Sequence, residues 1–230
     1  MIDKEFASPD DALHDVFDGA TIMFGGFVSA GSPSNLILAL QRRGTKRITG
    51  IANNIGLGDK LDILCEDGQL AKMIATFAIR ASGARQSLFE GQFHRGEVEL
   101  ELVPQGTLVE RIRAGGAGIG GFLTRTGLGT LVQADKQVMT VDGTDFLLEK
   151  PLRADVALVK AARADRLGNL VYRMAGRNFN PVMATAADVV IAEVEQVVDA
   201  GELDPESIGT PGVYVDRVVL CEPIPIRWFA

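Results

Sequence analysis

The sequence predicts an α/β protein built on an open, mainly parallel but mixed sheet, with helices on both faces and an antiparallel hairpin in the second half. Three observations predict this fold. Short apolar runs alternate with amphipathic segments through the first half, the pattern of strands joined by helices. Glycine-rich turns follow several of these runs, where a parallel strand hands over to a helix. Asp142-Gly143 lies between two strand-like runs and signals a two-residue hairpin turn. No Pro/Ser-rich linker, charge block or internal repeat divides the 230 residues, so a single domain over 1–230 is expected.

Element by element, residues 21–24 (TIMF) read as a strand and 25–33 as a loop. Residues 34–40 read as a helix, with Ser32 as its N-cap and Pro33 at its first position. RITGIA (47–52) is a second strand. Leu61, Ile63 and Leu64 then give helical spacing that Gly68 ends. KMIATFA (72–78) is a third strand, and 85–96 a helix stopped by Gly96. VELELV (98–103) alternates, with Val98, Leu100 and Leu102 on a dry face and Glu99 and Glu101 on a wet one. A helix over 107–114 starts at a Thr107 cap. In the second half, strands are expected at 155–164 and 169–173 around the turn DRLGN, and again at 189–198 and 213–219.

Several function classes are excluded by composition. After Asp18 the chain carries no charge for 23 residues, but Gly25, Gly26, Gly31 and Pro33 interrupt the stretch, so it cannot run as one membrane-spanning helix. The acidic flank DDALHDVFD does not suit a signal peptide. The net charge is −7, and no basic stripe with interleaved aromatics suggests nucleic acid. Cys65 and Cys221 form no metal-ligand or redox spacing, so no metal site is expected and a reducing cytoplasm fits. His14 reads as a surface helix position, and His94 has no Ser or Cys partner by spacing.

Four stretches can carry chemistry. The loop 25–33 has paired glycines after a strand: it is either a tight turn or a place where backbone approaches a ligand. Asn53-Asn54 follows a strand and either donates to a substrate oxygen or builds an Asx turn. Gln105 lies between Pro104 and Gly106 at another strand end: it is a fixed amide or a solvated loop residue. Gly116, Gly118 and Gly121 satisfy GxGxxG, but the motif follows a helix instead of a strand and does not read as a dinucleotide site.

These stretches together resemble the class I CoA transferases of the succinyl-CoA:3-oxoacid and 3-oxoadipate type. DGATIMFGGFVSAGSP fits the amino-terminal signature of that family at every fixed position from Asp18 to Pro33. ANNIG, VPQGTLVERIRAGGAGIGGF, TGLGTLVQ, ADVALVKAARADRLGNL and RNFNPVMATAA resemble further family stretches in the same order. The resemblance covers nearly the whole chain. It indicates the A subunit of a hetero-oligomer, A2B2, whose partner is a separate B subunit. It implies that CoA moves from an acyl-CoA, succinyl-CoA above all, to a 3-oxoacid. No permanently bound cofactor is implied: CoA is a substrate, held covalently as a thioester on a glutamate of the partner. It further implies Gln105 as oxyanion donor, with Asn53, Asn54, Gly25, Gly26, Phe27 and Gly31 lining the substrate edge.

The segment AIRASGARQSLFEGQF is longer than in the acetoacetate-using relatives. Arg80 and Arg85 flank it, and an arginine fork suits the second carboxylate of a dicarboxylic 3-oxoacid; the plain alternative is two solvated arginines. Two other functions stay open: acetate- or butyrate-type transfer on the same fold, and a non-catalytic binder of small ligands.

Overall fold

The structure is a computed structural model that describes residues 4–56, 60–78 and 86–224. Arg80 and Arg85 lie outside the described residues. The strands are β1 (Glu5–Phe6), β2 (Thr21–Phe24), β3 (Ile48–Asn54), β4 (Leu70–Phe77), β5 (Glu99–Leu102), β6 (Phe122–Thr124), β7 (Val138–Val141), β8 (Thr144–Glu149), β9 (Ala154–Asp165), β10 (Leu170–Val171), β11 (Ala187–Val198) and β12 (Arg217–Leu220). The helices are α1 (Pro9–Ala12), α2 (Ser34–Arg43), α3 (Leu88–His94), α4 (Gln105–Gly116) and α5 (Asn180–Ala184).

Eight strands form the main sheet in the order β1-β12-β11-β9-β2-β3-β4-β5, every pair parallel, and β10 adds an antiparallel partner to β9. Because successive side chains point to opposite faces, each strand feeds two cores. Ile22, Phe24, Ile48, Val156 and Leu158 pack on Leu36, Ile37 and Leu40 of α2. Met23, Ile51, Ala157 and Val159, at the alternate positions of the same strands, pack on Leu108 and Ile112 of α4 and Met183 of α5. The chain leaves β2 through α2 on one face and β9 through α5 on the other, so the pair β9/β2 is a topological switch point. Such a crevice, outside the carboxyl ends of the strands, is where open α/β sheets hold ligands.

The expected hairpin forms. Asp142 (φ 49°) and Gly143 (φ 73°) both take the left-handed conformation, and Val141 pairs with Thr144. This hairpin does not join the main sheet. With β6 it makes a separate three-stranded antiparallel sheet, β6-β8-β7.

Other boundaries move for identifiable reasons. Ser32 does not cap α2. Pro33 holds the N-cap position without a side-chain bond, and the Glu193 carboxylate accepts from Asn35 N (2.7 Å) and Leu36 N (3.2 Å) instead. A distant anion satisfies the positive end of the helix better than a local hydroxyl. Thr107 does not cap α4 either. The helix begins two residues earlier at Gln105 behind Pro104, and Thr107 is buried in its first turn. The two faces of β5 are less distinct than their alternation suggests. Glu101 is half-buried between Lys72 (2.8 Å) and Arg111 (2.9 Å), while Leu102 is 55% exposed where the last strand reaches the sheet's rim. Residues 61–65 form a 3-10 helix, α3 starts only at Leu88 behind a Ser87–Glu90 capping box, and β12 starts at Arg217 after a 3-10 turn at Gly212–Tyr214. Gly116 ends α4, and Gly118 and Gly121 turn the chain toward β6, the context in which a dinucleotide fingerprint fails.

Candidate active site

The carboxyl ends of β2, β3 and β5 bring the expected residues together. Beyond β2, Phe27 and Ala30 exchange two backbone hydrogen bonds of 3.0 Å and fold the loop back on itself, with Val28 in a left-handed conformation (φ 55°). That turn aims the Val28 N–H at Asn54 Oδ1, 2.7 Å away. Asn53 Nδ2 donates to the same oxygen at 2.9 Å, and Gln105 Nε2 donates to Asn53 Oδ1 at 2.9 Å. Asn53 and Asn54 are the last two residues of β3 and are buried, at 1% and 3% exposure, whereas Gln105 is exposed at the first position of α4.

The polarity of this relay is fixed from one end. A backbone N–H can only donate, so the Asn54 atom it meets is the oxygen. Asn53 must then turn its NH2 toward that oxygen, which leaves its own oxygen for Gln105, and Gln105 must present NH2. One N–H of Gln105 is spent on Asn53; no described residue holds the second. The result is an amide donor at the solvent side, placed by two buried amides and lying at the positive end of a 12-residue helix. Preset donors of this kind stabilise negative charge that develops on a carbonyl oxygen, because they do not have to reorganise when it appears.

The glycines of the loop are needed sterically. A Cβ at Gly25 would fall 1.8 Å from Asn180 Oδ1, and one at Gly31 (φ +69°) would fall 2.8 Å from Asn180 Nδ2. Gly26 has φ +114° and would press on Ser32 at 3.1 Å. Phe27 is exposed on the same rim, as are Phe77 at the end of β4 and Leu102 at the end of β5. Asn180 and Glu193 are the residues that sequence reasoning misses. Asn180 sits within the stretch RNFNPVMATAA but carries no pattern of its own.

Beside the loop lies a cavity of about 770 Å³ bordered by Ser29, Gly31, Lys160, Tyr172, Arg173 and Gly176. Its chemistry is largely self-satisfied. Lys160 Nζ lies 3.3 Å from Glu193 and 3.8 Å from Glu195, and Arg173 reaches Glu195 at 3.0 Å. Glu193, 1% exposed, occupies the N-terminus of α2, the place where a phosphate would otherwise sit. Burial pushes the Tyr172 hydroxyl up to about 12, and burial together with Glu193 pushes the Cys221 thiol up to about 12. Neither group is an activated nucleophile. His14 and His94 are exposed, and among the described residues no His, Cys, Asp and Glu side chains cluster in a way that could hold a metal. No described helix is long and apolar enough to cross a membrane.

Residues 6–220 match the family model described as coenzyme A transferase. The chain belongs to that family. This CoA-transferase chain is 47% identical to the A subunit of a 3-oxoadipate CoA-transferase of Acinetobacter baylyi over 98% of both chains. It is 46% identical to the alpha subunit of the acetate CoA-transferase of Escherichia coli, over 89% of this chain and 91% of that one. A human mitochondrial succinyl-CoA:3-ketoacid coenzyme A transferase is 43% identical over 94% of this chain, which spans only 44% of the human protein. Among solved structures, the glutaconate coenzyme A-transferase of Acidaminococcus fermentans superposes with a TM-score of 0.84 at 22% identity, over 94% of this chain and 75% of that one, and so supports the fold.

Proposed function

We propose that this chain is the A subunit of a two-subunit CoA transferase that moves CoA from succinyl-CoA to a 3-oxoacid, working in the cytoplasm as an A2B2 assembly. The observation that carries the reading is the amide relay that ends in the exposed Gln105 donor. The names of the relatives support a partner: two are themselves named as subunits, and the human relative is more than twice as long as the part it shares.

In the proposed reaction a glutamate of the B subunit directs its carboxylate at the acyl-CoA carbonyl, and CoA thiolate leaves to give a mixed anhydride. The thiolate then attacks the glutamyl carbonyl, releases the donor acid and leaves CoA on the glutamate as a thioester. The acceptor acid runs the sequence backward and departs as its CoA ester. Each addition places negative charge on a carbonyl oxygen, and the second N–H of Gln105 meets that oxygen. Asn53 and Asn54 hold Gln105 in place, and the loop 25–33 with Phe27 closes over the acyl chain. This chain binds and polarises; the nucleophile comes from the partner.

A second reading, transfer to acetate or a similar short acid, draws on the 46% identity to the acetate enzyme's chain. A phosphate-binding role fits poorly, because Glu193 fills the anion position at α2. The test is reconstitution. The chain alone should neither transfer CoA nor form a borohydride-reducible glutamyl-CoA adduct, and co-expression with the B subunit should restore both. A panel of acetoacetate, 3-oxoadipate and acetate then separates the two readings. Activity of the isolated chain would overturn the two-subunit proposal.

A further inference from the structure

We propose that Asn180 is the positioning residue of the loop 25–33 and, through that loop, of Gln105; the link to Gln105 rests on the function proposed above. Asn180 opens α5 and is 0% exposed. Its Oδ1 accepts the Lys160 backbone N–H at 2.9 Å, which fixes the orientation of the amide. Its Nδ2 donates to Gly31 O at 3.0 Å and to Gly176 O at 2.9 Å. One side chain therefore ties together β9, the end of the glycine loop and the segment before α5.

The fit to the loop is steric as well as polar. The amide fills the space that side chains at Gly25 and Gly31 would need, so it touches the loop both where the chain leaves β2 and just before it enters α2. Asn178 adds a bond to Ala30 O at 2.8 Å. Between these anchors lies Val28, whose N–H starts the relay to Asn54, Asn53 and Gln105. A shift of the loop would break the Asn180 Nδ2 bond to Gly31 O and leave a buried carbonyl without that donor, which is costly, so the loop is held in the register that aims Val28. Asn180 makes no hydrogen bond to Asn54, Asn53 or Gln105. Its effect on the reaction passes through geometry alone.

The test uses N180A and N180D in the enzyme assembled with the B subunit. The N180D carboxylate would keep an acceptor for the Lys160 N–H but turn a second oxygen toward Gly31 O and Gly176 O, breaking the clamp with almost no change in volume. The measurements are kcat, KM for the acceptor acid, and hydrogen–deuterium exchange of peptides covering 25–33 and β11. The expected result for both variants is a loss on the order of 10²-fold in kcat with KM changed by no more than about twofold. Exchange should be faster in 25–33 and unchanged in β11. Normal kcat, or unchanged exchange in 25–33, would overturn the proposal. Loss of assembly in both variants, or exchange rising equally in β11, would make Asn180 merely structural and would also overturn it. If Gln105→Ala keeps full activity, the proposed donor role fails, while the exchange data still decide whether Asn180 holds the loop.

Discussion

The carboxyl edge of the main sheet and the small β6-β8-β7 sheet are built by opposite rules. The small sheet is local. Its hairpin follows from two residues, Asp142 and Gly143, whose left-handed conformations match the twist of the strands they join. All four residues of β7 are exposed, and it pairs with β8, which pairs in turn with β6. The carboxyl edge is assembled across the chain. Val28 meets Asn54, 26 positions away, Gln105 meets Asn53, 52 positions away, and Asn180 meets Gly31, 149 positions away. Asn53 and Asn54 are buried, and each amide of the relay fixes the next out to the exposed Gln105. Turn chemistry suffices to shape an exposed ribbon. A preset donor requires a buried network, because an amide is held rigidly only where its alternatives are desolvated.

That contrast can be broken by mutation. The largest effect on stability is expected at Glu193, which supports the carboxyl edge from beneath the loop. Glu193→Ala removes the anion from the N-terminus of α2 and leaves the Lys160 ammonium, itself only 16% exposed, without its nearer carboxylate. Breaking one side of a buried ion pair costs about 3–5 kcal/mol. The urea midpoint of the purified chain should fall accordingly; a midpoint shift worth under about 1 kcal/mol would mean that Glu195 and water replace the carboxylate at little cost. A smaller effect is expected in the ribbon. A Cβ at Gly143 would meet nothing within 4 Å, so Gly143→Ala costs only the left-handed backbone, about 1 kcal/mol. The melting temperature should drop slightly and kcat of the assembled enzyme should not change. A loss of kcat there would tie the small sheet to catalysis and erase the contrast.

The legible part of the molecule follows the same division. The strand at Thr21–Phe24, the hairpin, and the existence of a helix after the glycine loop come from periodicity and turn residues that act within a few positions, while that helix runs on past residue 40 to Arg43. Gln105, Asn53 and Asn54 are recognisable as amides at strand ends, and the fold places all three in one chain of hydrogen bonds. The starts of α2 and α4 escape a local reading because their caps are not local. Glu193 reaches α2 from β11, and Thr107 turns inward under α4 when Pro104 starts the helix early. Asn180 is invisible in the sequence because its role exists only where the loop 25–33 and β9 pass within reach of it. A lone asparagine before a proline reads as an ordinary turn residue.

The central claim is that Gln105 is an oxyanion donor preset by buried amides. It is tested most directly by single-turnover and steady-state kinetics of Gln105→Ala in the assembled enzyme. A donor that acts mainly in the transition state lowers kcat and leaves KM nearly unchanged, and removal of one such donor costs about 10²–10³ in rate. Gln105→Glu should be slower still, since it would set a carboxylate against the developing charge. Loss of kcat by that factor, with intact assembly and unchanged KM, is the predicted result. A Gln105→Ala enzyme with near-normal kcat would contradict the account and reduce Gln105 to the residue that starts α4.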